Sequence, residues 1–459
     1  MNAIIAVSVL AIIIMFFGVM RKKSILLPII LLGLPLAFFL DIRDWGTFVH
    51  YYNEMFIADN FGIAFNALLI FAAFLVFMFA NLYYKVVQRP LEDIYALFLF
   101  ALVGAMVMTS FGNLIMLFIG VETLSISLYI LAGSKKFDIA SNEAAMKYFL
   151  TGSVSTGFLL FGIALVYGAS GSFNMMDITN YITEYSTMLP AMFFAGMLLI
   201  FIGVAFKIAA VPFHFWAPDV YAGSPTLITA FMATVGKVAA IAAFYRLASG
   251  AFANVHLHWE NTLWFFAVAT IVFGNLSAIY QDNLKRMFAY SGISHAGYML
   301  LAIIALGPKS AGSLLFYGLA YVVATTTGFA VLMLIREKNG TFSVEGFKGL
   351  AKNNPIEAFA MAMAMMSLAG IPPLAGFMAK YNIFIVAAQS GYLWLVIVGV
   401  LGSMLSIYYY FKPIVAMYFS DAEPQPKIET GISYKIHIIF CTFLIIVLGF
   451  LSGVIINLI

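Results

Sequence analysis

Fourteen stretches of mostly apolar residues, each long enough to cross a bilayer as a helix, recur along this chain of 459 residues. They fall at 2–20, 24–40, 60–83, 91–110, 112–132, 146–168, 191–211, 224–248, 262–280, 287–306, 312–335, 356–379, 392–411 and 436–457. A helix rises about 1.5 Å per residue and the hydrocarbon core is about 30 Å thick, so roughly 20 apolar residues span it. Charged residues make up 9% of the chain against 64% hydrophobic, where a soluble domain carries roughly a quarter charged residues. Lipid must therefore cover most of the surface, and the chain is expected to be an all-α membrane protein. The first apolar run ends in Arg21-Lys22-Lys23. A cleaved signal carries its positive charges before the apolar stretch, so this run is expected to be a retained first span.

The basic residues test the count. With the N-terminus outside, the inner loops hold Arg21, Lys22, Lys23, Lys85, Arg89, Lys135, Lys136, Lys147, Lys285, Arg286, Arg336, Lys338, Lys348, Lys352, Lys412, Lys427 and Lys435. That is 17 of the 23 basic residues, against two, Arg43 and Lys309, outside. The positive-inside rule expects this asymmetry, and a miscounted helix would mix the two sets. The split predicts both termini outside. Of the 20 acidic residues, only Glu122 sits in the middle of a span. The net charge of +3 is too small to argue for nucleic acid. The single cysteine, Cys441, lies in the last apolar run, which excludes a disulfide framework and a cysteine-held metal or iron–sulfur cluster.

Four charges remain deep in the apolar sequence. Glu122 lies in LIMLFIGVETLSISLYIL, Lys207 in FIGVAFKIAAVPFHFW, Lys237 in FMATVGKVAAIAAFYRL and Lys380 in SLAGIPPLAGFMAKYNIF. Each costs about 2.5–3.5 kcal/mol at the bilayer centre on insertion scales, so the four together rival a domain's whole net stability of about 5–15 kcal/mol. They must face the bundle interior, pair, or lose their charge. Desolvation favours the neutral form of either kind of group, which opens proton exchange to them. Static ion pairs are the alternative, but one buried glutamate cannot neutralise three lysines. Lysine also suits a shuttle where arginine does not, because a guanidinium does not release its proton. Arg246, near the outer end of its span, is expected to snorkel to the interface. His295, in AYSGISHAGYML, fits a relay or a satisfied structural histidine. His214, in VPFHFWAPDVY, fits a relay or a packing role.

Proline interrupts the apolar pattern at two comparable places, Pro212 (with Pro218 and Pro225 following) and Pro372-Pro373. Proline removes a backbone donor and clashes with the preceding turn. In lipid, such a break persists only where protein or a water-lined cavity satisfies the freed groups. Short half-helices are expected after the breaks, at 212–220 and 380–390. Each break has a buried lysine beside it: Lys207 precedes the first and Lys380 follows the second. Ordinary kinks would explain prolines but not this coincidence. Broken helices five spans apart predict two five-helix repeats, and an odd number of helices per unit makes them inverted, as in transporters with ion sites at the breaks. The expected division is three N-terminal helices over 1–90, a first repeat over 91–250, a second, inverted repeat over 260–412, and a final helix over 430–459.

The segments GVETLSISLYIL, NEAAMKYFLTGSVSTGFLLFG, FKIAAVPFHFWAPDVYAGSPTLITAFMATVGK, NLKRMFAYSGISHAGYML and SLAGIPPLAGFMAKYNIF resemble the antiporter-like membrane subunits of bacterial respiratory complex I, and among these the subunit N branch. The motifs run from about 112 to 390, and the length and span count fit the whole chain. The resemblance implies a multi-pass subunit of the bacterial inner membrane that moves protons while quinone reduction proceeds in other subunits. It implies that Glu122 of the fifth helix and Lys207 of the seventh form a pair, that Lys237 is the central lysine of the eighth, and that Lys380 is the terminal ionisable group of the broken twelfth. His295 falls where the family often places a polar relay. No cofactor or metal is expected in this chain. NADH, FMN, iron–sulfur clusters and quinone would belong to other subunits, and the partners would be neighbouring membrane-arm subunits and lipid. The competing reading is a subunit of a multisubunit cation/proton antiporter, which shares the buried glutamate and lysines. A solute carrier would not need three mid-membrane lysines.

Overall fold

A computed structural model of the chain describes residues 1–19, 23–84, 91–185, 188–420 and 425–459. Of the basic residues assigned to inner loops, Arg21, Lys22, Lys85 and Arg89 lie outside the described residues. The fold is a helical bundle. The N-terminal helices are α1 (Asn2–Val19), α2 (Leu26–Ile42) and α3 (Asn60–Tyr84). A short antiparallel hairpin, β1 (Val49–Tyr51) and β2 (Phe56–Ala58), joins α2 to α3. Then come α4 (Leu91–Ser110), α5 (Leu114–Ala132), α6 (Ile139–Ser170), α7 (Met175–Glu184) and α8 (Ala191–Ile208). The next stretch holds α9 (Trp216–Gly223), α10 (Thr226–Phe231), a π-helical turn (Met232–Gly236) and α11 (Lys237–Ser249). The second half holds α12 (His256–Ile279), α13 (Leu284–Ala305), α14 (Ser310–Asn339), α15 (Leu350–Asn353), α16 (Pro355–Ala369), α17 (Ala375–Gln389), α18 (Leu393–Tyr418) and α19 (Ile432–Ile456).

Among the described residues, 11 helices are long and apolar enough to cross a membrane by length and composition. Three shorter apolar helices, Asn2–Gly18, Leu26–Ile42 and Pro355–Ala369, bring the number to the fourteen expected. Several boundaries move. The sixth span begins at Ile139 rather than 146, because Asp138 accepts from the backbone N–H groups of Ala140 (3.0 Å) and Ser141 (3.4 Å) and caps the helix seven residues earlier. Lys147 therefore sits on a helix, paired with Glu143 and Asp219 at 2.7 Å each, rather than in a loop. The thirteenth span continues through Pro413 to Tyr418.

Both breaks are present and both differ from expectation in their limits. The first half-helix after a break is Trp216–Gly223 rather than 212–220, and the second is Ala375–Gln389 rather than 380–390. The expected span 356–379 is in fact two helices, and Lys380 lies inside the second. At each break the upstream helix ends on a left-handed residue, Ala209 (φ 59°) and Gly370 (φ 87°). Each turns its N–H back onto carbonyls of the last turn, Ala205 and Phe206 in one case, Met366 and Ser367 in the other. Only glycine adopts this region freely, so Ala209 is held there by its surroundings.

A second pair of features matches across the two halves. The first is a knot in which Asn113 caps α5, Leu114 N donates to Phe173 O at 2.9 Å, and Met175 N donates to Gly112 O at 3.0 Å. The second has Asn283 capping α13, Leu284 N donating to Phe342 O at 2.9 Å, and Val344 N donating to Asp282 O at 3.1 Å. Each knot follows a long helix closed by a left-handed glycine, Gly171 or Gly340. The fifth and tenth spans start on opposite sides when helices alternate, so the same construction closes opposite ends of the bundle. That is the signature of inverted repetition.

Candidate functional site

The polar residues of the bundle interior collect around the two breaks and the π-helical turn. Lys207 is buried in the last turn of α8, where unpaired carbonyls and the helix dipole favour a cation. Its Nζ donates to Ser125 Oγ at 2.8 Å and to Tyr129 OH at 3.4 Å. Ser125 Oγ in turn donates to the carbonyl of Val121. Glu122, Ser125 and Tyr129 are spaced i, i+3 and i+7 along α5, so they share one face. Glu122 is half-buried and within electrostatic range of Lys207. It is not in ion-pair contact with it. Glu122 and Lys207 are thus within electrostatic range but apart, and the direct hydrogen-bond partners of Lys207 on α5 are Ser125 and Tyr129.

Lys237 is the first residue of α11, directly after the π-helical turn. Such single-turn bulges inside α-helices are frequent at functional sites. The buried Nζ donates to the carbonyl of Gly292 in α13 at 2.5 Å. Gly292 leaves room for the ammonium group: a Cβ would lie 2.9 Å from Lys237 Nζ and 3.1 Å from Tyr321 OH, so both side-chain ends would have to move. Gly292→Ala is therefore expected to unseat the ammonium group while leaving α13 helical. Proton uptake by vesicles carrying the variant should fall although the protein inserts normally, and native uptake would show that the Gly292 contact is dispensable.

One turn further along α13, His295 is buried between two tyrosines. Its Nδ1 is 2.6 Å from Tyr317 OH and its Nε2 is 3.0 Å from Tyr410 OH. Tyr410 OH also bonds Ser291 Oγ. His295 lies within electrostatic range of both Lys237 and Lys380. A cavity of about 10 Å³, the size of one water site, separates it from the second break and is lined by His295, Tyr317, Tyr321, Ser367 and Gly376 among others. Beyond the cavity, Lys380 Nζ donates to Ala369 O at 2.9 Å and to Ser403 Oγ at 2.9 Å, and it stands 5.1 Å from the Tyr298 ring centroid. Ala369 is the last residue of α16, so the lysine of α17 caps the carbonyl that the break exposes. The left-handed Gly370 leaves room for the lysine stem, whose Cδ would be 3.1 Å from a Cβ at that position.

The structure thus brings Lys237 and Lys380 within electrostatic range of His295, and sets Lys207 with Glu122 as a separate group in the first repeat. It does not bring His214 into either group. That ring is buried against Phe215 (4.4 Å) and Phe273 (4.5 Å), and its Nδ1 has no hydrogen-bond partner. Pro212 belongs to the first break, where Val211 N donates to Thr270 Oγ1 at 2.9 Å. Trp216 Nε1 donates to Phe206 O at 3.1 Å and satisfies a carbonyl near the helix end. Pro372 and Pro373 form the turn of the second break. Tyr317 and Tyr410 carry no sequence signal of their own, and only their convergence on His295 marks them.

Two basic residues behave differently from expectation. Arg246 does not snorkel: it is 8% exposed, pairs with Asp59 at 2.6 Å, and donates its Nε to Thr109 O at 2.8 Å. A carboxylate at the start of α3 reaches it before the membrane surface does. Lys285, placed by hydropathy in an inner loop, is 1% exposed. The loop after α14 folds over it.

Glu122, Lys207, Lys237, His295 and Lys380 lie within a stretch of known type. The family model "NADH:quinone oxidoreductase/Mrp antiporter, TM" matches residues 111–406. NADH-quinone oxidoreductase subunit N of Cytophaga hutchinsonii is 44% identical over 422 residues, 92% of this chain and 91% of that one. A chain of respiratory complex I from Thermus thermophilus superposes with a TM-score of 0.84 at 32% identity, covering 99% of this chain and 98% of that one. A chain of the Mrp complex from Dietzia sp. superposes with a TM-score of 0.88, covering 100% of this chain and 96% of that one, at 20% identity. That last likeness is one of fold alone. The chain belongs to the NADH:quinone oxidoreductase/Mrp antiporter membrane family and, within it, to the NADH-quinone oxidoreductase subunit N group.

Proposed function

We propose that this chain is a proton-translocating subunit in the membrane arm of an NADH:quinone oxidoreductase. In this reading it sits in the bacterial inner membrane with both termini on the outer side. The observation that carries the reading is that Lys207, Lys237 and Lys380 are buried on carbonyl and hydroxyl acceptors, none of them on a carboxylate. A lysine in a static ion pair must break that pair to lose its proton. These three can release one and keep their hydrogen-bond geometry.

Lys237 is the central carrier, with His295, its tyrosine partners and the water-sized cavity relaying between it and Lys380. A carboxylate near a lysine stabilises the protonated amine, so a change in the Glu122–Lys207 separation changes how firmly Lys207 holds its proton. The working units are 91–250 and 260–412, flanked by the N-terminal helices 1–90 and the last helix 430–459. In this reading the redox groups (NADH, FMN, iron–sulfur clusters and quinone) belong to other subunits, with which the membrane-arm neighbours connect this chain. Pro212, Pro372 and Pro373 allow the half-helices to shift as energy arrives.

The alternative, a cation/proton antiporter subunit, shares the fold. The subunit N relative at 44% identity, against 20% for the Mrp chain, favours the first reading. Purification of the tagged chain from its native membrane tests it. Recovery with quinone-reductase subunits is expected, and recovery with only small antiporter subunits would overturn it.

A further inference from the structure

Lys285 poses a physical problem. It is a lysine almost wholly removed from solvent, with no carboxylate in ion-pair contact among the described residues. Its Nζ donates to Ala222 O at 3.2 Å and to Ser224 O, and it faces the Phe342 ring at 4.9 Å. The charged groups in electrostatic range are Lys135 and Asp138 from the α5–α6 connection and Arg336 from α14. Two of those three are cations, so neighbouring charge does not explain its presence. The carbonyls do. Ala222 lies in the last turn of α9 and Ser224 is its C-cap residue. The final carbonyls of a helix lack intrahelical donors and carry the negative end of its dipole.

The adjacent Arg286 reaches the same half-helix, with Nη1 3.4 Å from Asp219 Oδ1, and Lys147 of α6 holds the other oxygen of that carboxylate. Asp219 is partly exposed, so these outer pairs contribute modestly. The buried contact of Lys285 dominates. The clamp is itself fixed in place: Asn283 accepts from the backbone N–H of Lys285 at 2.9 Å and of Arg286 at 3.3 Å, and Leu284 is tied to Phe342.

We propose that Lys285, assisted by Arg286, is a positioning residue that clamps the free half of the first broken helix to the helix that seats Lys237. At its other end α9 is tied by Trp216 to the carbonyl of Phe206, the residue before Lys207. At this end it is tied to α13, on which Gly292, the acceptor of Lys237, stands seven residues beyond Lys285 and on the same face. The half-helix is a strut between the surroundings of Lys207 and the seat of Lys237. A shift at the first break reaches the central lysine through it. The contact crosses from the first repeat to the second.

The proton-coupling part of this inference rests on the proposed function; the clamp itself does not. The test uses the whole complex in native membranes, with Lys285→Met, Lys285→Gln and Lys285→Arg. Lys285→Met is expected to raise amide hydrogen exchange across 216–224 and to lower protons taken up per quinone reduced by at least about fivefold, the scale of a typical coupling between sites. Lys285→Arg should restore both toward native values, a rescue that loss of packing alone would not produce. If the methionine variant does not assemble, Lys285→Gln, shorter and uncharged, should show intermediate values of both. Native exchange and native coupling in the methionine variant, or in the glutamine variant if it alone assembles, would overturn the clamp. Lys237→Ala is the reference: if it pumps normally, the functional reading fails, and the exchange measurement still decides the clamp.

Discussion

Lys237→Ala is expected to reduce proton transport by reconstituted vesicles to less than about a tenth of native, a barrier increase of at least ~1.4 kcal/mol. The variant should still fold and assemble. The argument for the loss is positional: Lys237 is the amine between the two half-bundles, aimed by the π-helical turn at the Gly292 carbonyl and within electrostatic range of His295. Removing it deletes the group that takes up and releases the proton. The argument for intact folding is energetic, since a buried lysine costs about 2.5–3.5 kcal/mol on insertion scales and alanine carries no such penalty. Lys237→Arg should fail similarly, because a guanidinium binds its proton too firmly to pass it on. Vesicles that build a native proton gradient with alanine at 237 would sink the assignment.

Arg246→Ala should have the opposite profile. Its Nη2 pairs with Asp59, its Nε donates to Thr109 O, and its guanidinium carbon lies 5.0 Å from the Phe61 ring centroid, so one side chain joins α11 to the starts of α3 and the end of α4. Asp59 also accepts from Gly62 N at 2.7 Å and so closes the first turn of α3. Truncating the arginine leaves that carboxylate half-buried without its cation. The expected loss is roughly 3 kcal/mol, the lower end of what breaking a buried pair costs. It should appear as a lower midpoint of thermal unfolding in the purified complex, with proton uptake per surviving complex close to native. Asp59→Asn should cost less, because an amide oxygen still accepts from Gly62. An unchanged midpoint in the alanine variant would mean that Arg246 behaves as the snorkelling residue its sequence position predicts.

The contrast between these two bases marks how far sequence reasoning reached. Both lie on one helix, in one apolar run, nine residues apart. Hydropathy distinguishes their depth but not their partners, because a partner such as Asp59 is 187 positions away in the chain. The same limit hid the environment of His295, whose hydrogen-bond partners come from α14 and α18, and the burial of Lys285, whose cover is the loop after α14. The inverted repeat does leave a local mark in the sequence. The segments GSFNM at 171–175 and GTFSV at 340–344, each set against an Asn-Leu helix start, are the two knots of the inverted repeat.

What the amino-acid sequence determined by itself is the membrane class, the fourteen spans, the two broken helices and the three lysines deep in the spans. The physical reason is that these depend on transfer from water to lipid, which each residue and its near neighbours decide almost alone. A run of twenty apolar residues enters the bilayer whatever lies elsewhere, and a proline breaks its helix locally. What only the tertiary structure decided is which buried charges there are beyond these and which group each one touches: the Ser125 and Tyr129 hydroxyls for Lys207, a glycine carbonyl for Lys237, a broken helix's end for Lys380, and another helix's end for Lys285. Inside lipid the cost of an unsatisfied polar group is high, so each must find a partner, but long-range packing alone determines who that partner is.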